Sequence, residues 1–254
     1  MQFSEIQVRI QNAKALDFGD IFSKCIELFK KVWVQGLVML LLTIAILLPF
    51  YLIMYLPLIG AGFLETGYSS YSGYNDDFNI ILMIPFFIFI LIFSFVAMVI
   101  SFGMKASFYR ICKLKDLNEA GSDDYFYYLK RPHLGKVIKL ALLTFAITLI
   151  ATMLCVIPII YVIVPVTLMN VIFAFNPEMS ATEIVKTGFD LGNKKWLITF
   201  GLIIVSAILA QIVGMLMCLI GTFVTASFSY LPVYFIYKET VGFDETNNTP
   251  SHQE

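Results

Sequence analysis

The chain of 254 residues contains few side chains that could perform chemistry, and these are scattered along it. Its two histidines, His133 and His252, have no second His or Cys at metal-ligand spacing. Two acidic pairs, Asp76-Asp77 and Asp123-Asp124, are adjacent in sequence, so their side chains point apart and do not form a catalytic dyad. Phosphate-binding loops and nucleophile motifs do not occur either. We therefore expect no enzyme activity, no metal and no other cofactor.

The composition explains this scarcity. Hydrophobic residues make up 59% of the chain, charged residues only 14%, and the mean hydropathy is +0.84. A soluble domain is typically about half apolar and about a quarter charged. So few charges could not cover a water-soluble protein of this size. The composition excludes an ordinary soluble enzyme, a nucleic-acid binder and a disordered chain, and it predicts an all-α integral membrane protein.

Four long stretches without any charged residue predict the membrane spans. A helix crosses the hydrocarbon core in about 20 residues. The first two stretches therefore hold one span each, and the longer last two hold two spans each, separated near Pro158 and Gly221. The six predicted spans lie near 32–56, 80–104, 137–156, 159–176, 196–217 and 221–238.

The distribution of charge predicts the orientation of these spans. With six spans, all 17 Lys and Arg residues fall in or next to the connections and terminal segments on one side. In the connection on the other side, 57–79, all charged residues are acidic. Because basic residues accumulate in cytoplasmic segments, we expect a multi-pass protein of the cytoplasmic (inner) membrane with both termini in the cytoplasm.

A repeat links two of the segments that precede spans. Residues 17–33 align with residues 180–196, and each copy begins with a helix-capping pattern and ends with basic residues before a Trp. A weaker third copy begins at Ser122. The sequence thus predicts three hairpins, each preceded by a cytoplasmic amphipathic helix, near 18–31, 122–131 and 181–193. Residues 1–243 form one domain, and 244–254 form a disordered tail.

Cysteine positions follow from this topology. Cys25 and Cys112 fall on the cytoplasmic side and should be reduced thiols. Cys155 and Cys218 fall at the outer ends of the third and fifth spans. A disulfide between them requires Cα atoms within about 7 Å, and nothing in the sequence fixes that distance. Two buried unpaired thiols are favoured, and the disulfide is the alternative.

The strongest polar residues at depth are Asn170 and Gln211. Such side chains either hydrogen-bond a neighbouring helix or line a cavity, and the first role is the commoner one. Trp33 and Trp196 are expected to anchor two spans at the inner headgroup level. Prolines within the even-numbered spans either shape helix packing or surround a central cavity: Pro85, Pro165 and Pro232.

Small residues recur every four positions on the last two spans. This spacing places them on one face of each helix, where they allow close approach of the two backbones. The predicted packing seam consists of Ser206, Ala210 and Gly214 on one helix and Gly221, Thr225 and Ser229 on the other.

Two motifs resemble a known family. They are Asp17-Phe-Gly-Asp-Ile-Phe-Ser-Lys and Asn176-Pro-Glu-Met-Ser-Ala-Thr-Glu-Ile, the second continuing to Leu191-Gly-Asn-Lys-Lys-Trp196. With six spans, they resemble the bacterial glycerophosphoryl diester phosphodiesterase membrane-domain family. In that family the membrane part can be fused to a soluble catalytic barrel, which this chain has no residues left to encode. The resemblance implies a bacterial inner-membrane protein, without the enzyme activity in the family name.

Two functions are consistent with these features. The first is a non-enzymatic accessory or scaffold protein, or a role in membrane homeostasis. The second is a transporter or carrier of lipids or other neutral or amphipathic molecules. An intramembrane enzyme is disfavoured because the spans lack carboxylates. The expected partners are the lipid bilayer and either another membrane protein or a second copy of the chain, but not nucleic acid.

Overall fold

A computed structural model describes residues 1–67, 76–154, 156–217 and 220–243. The described residues are almost entirely helical and contain no strand, as the composition predicts. Cys155, Cys218 and the predicted tail 244–254 lie outside the described residues. The α-helices of the described part are α1 (Phe3–Gln11), α2 (Phe18–Gly67), α3 (Asp76–Asp116), α4 (Arg131–Met153), α5 (Val156–Phe175), α6 (Ala181–Lys194), α7 (Trp196–Leu216), α8 (Ile220–Thr225) and α9 (Leu231–Thr240).

Five of these helices contain segments that are long and apolar enough to cross a membrane, as in a multi-pass membrane protein. α2 continues well past the predicted first span, and its 50 residues extend over about 75 Å. Because the hydrocarbon core is about 30 Å thick, part of α2 must extend beyond it. The five segments are Phe18–Ile53, Ile84–Asp116, Arg131–Met153, Ile157–Phe175 and Trp196–Leu216.

The predicted sixth span is not a continuous α-helix. A 3₁₀ segment, Ala226–Tyr230, separates α8 from α9. Pro232 lies in the first turn of α9, where its missing N–H is tolerated. It therefore does not lie inside a continuous helix, where a proline would cause a kink. The hydroxyl of Thr225 donates to the Ala210 carbonyl on α7 at 2.7 Å and to the Gly221 carbonyl at 3.0 Å. We name the whole stretch 220–240 the interrupted helix.

The three predicted amphipathic helices fold in three different ways. The first, 18–31, is the beginning of α2 and not a separate helix. The third is α6, capped by a complete capping box between Ser180 and Glu183. Sequence patterns also missed α1, which packs against α6 and has Ile6 and Ile10 buried.

The prediction of a second amphipathic helix, at 122–131, is wrong. That segment contains only a 3₁₀ turn, Tyr127–Leu129, before α4 begins at Arg131. Tyr128 is buried, and its hydroxyl donates to the carbonyl of Ala174 at the end of α5. Asp124 accepts a bond from the Phe126 amide at 3.1 Å. These tertiary and local bonds compete with helix formation, as short acidic side chains near turns commonly do.

One end of the bundle is charged, and there α2 begins, α3 ends and α9 ends. Tyr234 Oη and Lys238 Nζ both donate to Asp116 Oδ2, at 2.7 and 2.6 Å. Arg9 Nη1 donates to the Val241 carbonyl at 2.7 Å, so α1 contacts the end of α9. Cys25 and Cys112 are free and buried in this region, which we call the charged end.

Candidate functional site

A cavity of about 270 Å³ lies between helices α3, α4, α5 and α7 and the interrupted helix. On α3 its wall runs from Met98 to Tyr109, and on the interrupted helix it includes Ser229, Tyr230 and Val233. Most of the wall is apolar. Polar atoms are few and placed at separate points, as they are in sites for small molecules.

Asn170 is the polar centre of this wall. Its side chain is 5% exposed, and its Nδ2 donates to the carbonyl of Phe102 on α3 at 2.9 Å. Its Oδ1 is buried and has no hydrogen-bond partner among the described residues. Only part of the hydrogen-bonding capacity of Asn170 is therefore used. Its Nδ2 links α5 to α3, and its Oδ1 is an acceptor without a donor among the described residues. An unpartnered buried polar atom costs about 1–3 kcal/mol, which a ligand donor would offset.

Thr144 on α4 provides a second unpartnered group in the same wall. It is 1% exposed, and its hydroxyl has no partner among the described residues. The neighbouring Thr167 behaves differently, because its hydroxyl donates to the Ile163 and Val164 carbonyls of its own helix. Asn170 and Thr144 thus give the wall of this apolar cavity two buried polar atoms that have no partner among the described residues.

Lys105 gives the cavity its charge. It is half-buried on α3, just after the predicted second span, and its Nζ lies 5.0 Å from the centroid of the Tyr230 ring. A cation over an aromatic face is attracted by the ring quadrupole. The cavity therefore has a positive charge near the charged end and apolar walls further from it.

Gln211, the second predicted polar residue, lies elsewhere. It is exposed and lines a separate groove of about 210 Å³ together with Thr222 and Thr225. The groove shares Ala207, Ser229 and Tyr230 with the cavity. The structure therefore places Asn170 and Gln211 on two sides of one wall and does not bring them together.

The predicted seam residues of α7, Ser206, Ala210 and Gly214, are all buried. An added Cβ at Gly214 would lie 2.5 Å from the Cα of Thr222, so the backbones of α7 and α8 are in direct contact there. Thr225 bridges to the Ala210 carbonyl. Ser229 instead donates to Ala226 within its own segment at 2.8 Å and lines the cavity.

The two tryptophans occupy different local structures. Trp33 lies inside α2 and is 42% exposed. Trp196 is the first residue of α7, and its indole N–H donates to the carbonyl of Tyr161 on α5 at 3.2 Å. The two repeat copies differ just before the tryptophan. Val32 is buried within a continuous helix, whereas its counterpart Lys195 has a non-helical backbone conformation.

Two carboxylates on the loop that follows α3 are paired with lysines. Lys130 Nζ donates to Asp124, and this hydrogen bond is the main reason that the pKa of the Asp124 carboxyl lies below its usual value. Lys115 pairs with Asp123 at 3.3 Å. These carboxylates are therefore already occupied by other lysines.

Sequence patterns did not single out Lys105, Thr144 or Tyr230. Lys105 carried a usable signal, because it is the first charge after an apolar run and therefore lies at the edge of the membrane. Thr144 and Tyr230 carried none, since their role depends on which helices are neighbours.

No protein-family model matches the chain, and neither does a curated protein or a solved structure. The resemblance to the membrane-domain family therefore stays a prediction, and the cavity has to be interpreted from its own residues.

Proposed function

We propose that this protein binds an amphipathic molecule of the membrane in the cavity beside Asn170, as a lipid-binding protein or carrier. The observation that carries this proposal is the cavity itself, whose lining residue Asn170 has a buried Oδ1 without a partner among the described residues. The hydroxyl of Thr144 offers a second polar contact. A binding or carrying role needs no reacting groups, in keeping with the expectation that the chain is not an enzyme.

The interrupted helix supports a carrier in particular. Its 3₁₀ segment ends at Tyr230, in the cavity wall. Such a segment within a longer helix often marks a hinge, because its hydrogen bonds are poorer than those of an α-helix. A hinge at this wall would open and close the cavity.

We further propose six crossings in three hairpins, in the inner membrane of a bacterium, with both termini in the cytoplasm. The interrupted helix is the sixth crossing: its rise adds up to about 34 Å, close to the thickness of the hydrocarbon core. Contacts between α1 and the end of α9 support a position of both termini at one end of the bundle.

Photolabelling tests the binding function. The protein in neutral phosphatidylcholine nanodiscs is exposed to diazirine-bearing hexadecanol and hexadecanoic acid, and labelled peptides are mapped. We expect labels on the segments of α3, α5 and α7 that line the cavity. Ala207→Phe places a bulky ring in the cavity and should reduce this labelling at least about fivefold, because the ligand no longer fits.

The matched control is Ile208→Phe, on the next residue of α7, which is 55% exposed and points away from the cavity. It should leave the labelling of cavity peptides unchanged. A purely accessory or scaffold protein without a ligand gives the opposite result: labels only on exposed faces, and no difference between the two variants.

A further inference from the structure

No carboxylate among the described residues pairs with the ammonium group of Lys105. Among the described residues it makes no ion pair, and its only charge-related contact is with the Tyr230 ring. Other lysines of the charged end do have carboxylate partners, at 3.6 Å for Lys113 with Glu119 and 2.6 Å for Lys238 with Asp116. None of the cavity's lining residues is acidic, and Lys105 is the one charged residue among them.

A lysine at the end of a span usually extends its ammonium to the headgroups. That alone would not place it in the wall of a cavity with two unpartnered polar groups. A half-buried charge loses part of its hydration, and an anion beside it offsets this loss. The residue therefore provides a recognition element for a negatively charged group.

The dimensions of the cavity give the orientation of its ligand. Its wall on α3 runs from Met98 to Tyr109, and the part from Met98 to Lys105 rises about 10 Å, or about two thirds of one leaflet of the hydrocarbon core. Lys105 lies towards the charged end of this wall, and the apolar side chains of Met98 and Phe102 lie on the other side of it. A molecule with its charged head at Lys105 would therefore be aligned with the lipids of that leaflet.

The volume limits the size of the ligand. At about 270 Å³, the cavity is slightly smaller than the ~300–1,000 Å³ of typical small-molecule pockets. It suits one acyl chain better than the two chains of a phospholipid.

We infer that the ligand is a single-chain anionic amphiphile, of the fatty-acid type, with its anionic group at Lys105 and its chain along α3. This rests on the proposed function, since it specifies the ligand of the same cavity. Asn170 bonds the Phe102 carbonyl, on the side of Lys105 away from the charged end, where its amide would select a chain bearing a polar substituent.

The test compares two photoactivatable molecules that differ only in the head group, diazirine-bearing hexadecanoic acid and hexadecanol, in neutral nanodiscs at pH 8. Wild-type protein should bind the acid at least about tenfold more tightly, as one hydrogen bond to a charged group would provide. Lys105→Met should abolish this preference and keep the binding of the alcohol. Lys105→Arg should retain the preference, because it keeps the charge.

The control is Lys115→Met, on the same helix but paired with Asp123 and outside the cavity wall. It should retain the preference for the acid. Equal binding of acid and alcohol by the wild type would overturn the inference and leave the proposed function intact, and this result requires no variant to fold. An acid preference that survives in Lys105→Met would overturn it too. Absence of cavity labelling by both molecules would instead refute the proposed function.

Discussion

Pro165 changes the hydrogen bonding of α5 at a single residue. Proline has no N–H, so the carbonyl four residues earlier, that of Tyr161, loses its helical donor. The indole of Trp196 supplies a replacement at 3.2 Å. The bond ties α5 to the first residue of α7. Trp196 was predicted as a headgroup anchor from the aromatic belt rule, and the structure gives it this additional role, which the belt rule does not contain.

This bond predicts a specific coupling between the two residues. Trp196→Phe keeps an aromatic ring but removes the donor, and should lower the free energy of unfolding by about 0.5–1.5 kcal/mol. In a Pro165→Ala background the restored amide can bond the Tyr161 carbonyl, so the same substitution should cost almost nothing. Unfolding of all four proteins in mixed micelles measures the coupling. The same cost in both backgrounds would show that the indole N–H does not replace the missing amide.

At the scale of elements, the close contact between α7 and the interrupted helix depends on a glycine, which has no side chain to keep the backbones apart. Gly214 has Thr222 backbone atoms within 2.5–2.7 Å of where a Cβ would be, and the Thr225 hydroxyl bonds a carbonyl of α7. Between helices in lipid, such close approach supplies the contact energy that the hydrophobic effect does not.

Two glycines of α7 allow a matched test of this contact. Gly214→Ala places a methyl group against backbone atoms that cannot rotate away, and should destabilise the protein by about 1–3 kcal/mol. Gly201→Ala is the control, because its Cβ would meet only Phe18 at 3.7 Å. It should be neutral or stabilising, since alanine is the better helix former. Thermal unfolding in detergent compares the variants; equal midpoints would mean that α7 and α8 are not in contact at Gly214.

Local signals predicted those elements whose stability is local. The capping box at Ser180 and Glu183 marks the start of α6 with side chains of its own first turn. The segment 122–131 has a comparable acidic start, but Tyr128 is held by a carbonyl of α5, and no helix forms. Similarly, the α-helix stops at Thr225, whose hydroxyl donates to a carbonyl of α7. These differences arise from tertiary contacts that a single sequence does not encode in any short pattern.

At the scale of the molecule, the cavity combines one predictable residue with several unpredictable ones. Asn170 was recognisable as a polar residue within an apolar run. Its unused oxygen was not, because the amide could equally have bonded a neighbour at both ends. The location of Lys105 in the same wall requires that α3, α5 and the interrupted helix be neighbours. Hydropathy indicates which segments are apolar enough to span a membrane, but it does not give their arrangement.

The number of crossings is the property of the whole molecule with the clearest physical argument. Five crossings would leave the two termini on opposite sides of the membrane. Arg9 donates to the Val241 carbonyl, and Lys24 pairs with Glu239 at 2.8 Å, and these contacts support the proposed position of both termini on one side. An interrupted helix can cross where side chains replace lost helical donors, and the Thr225 and Ser229 hydroxyls do donate to carbonyls of their own segment.

Cysteine labelling in a bacterial host measures this topology. In a background with the four native cysteines replaced by alanine, single cysteines are introduced as Ala15→Cys, Ser70→Cys and Glu254→Cys. A membrane-impermeant maleimide applied to intact spheroplasts should label only Ser70→Cys, because 57–79 is the predicted outer connection. Ala15→Cys and Glu254→Cys should react only after permeabilisation. If Glu254→Cys reacted in intact spheroplasts while Ala15→Cys did not, the interrupted helix would not cross, and the ion pair between Lys24 and Glu239 could not form in the membrane.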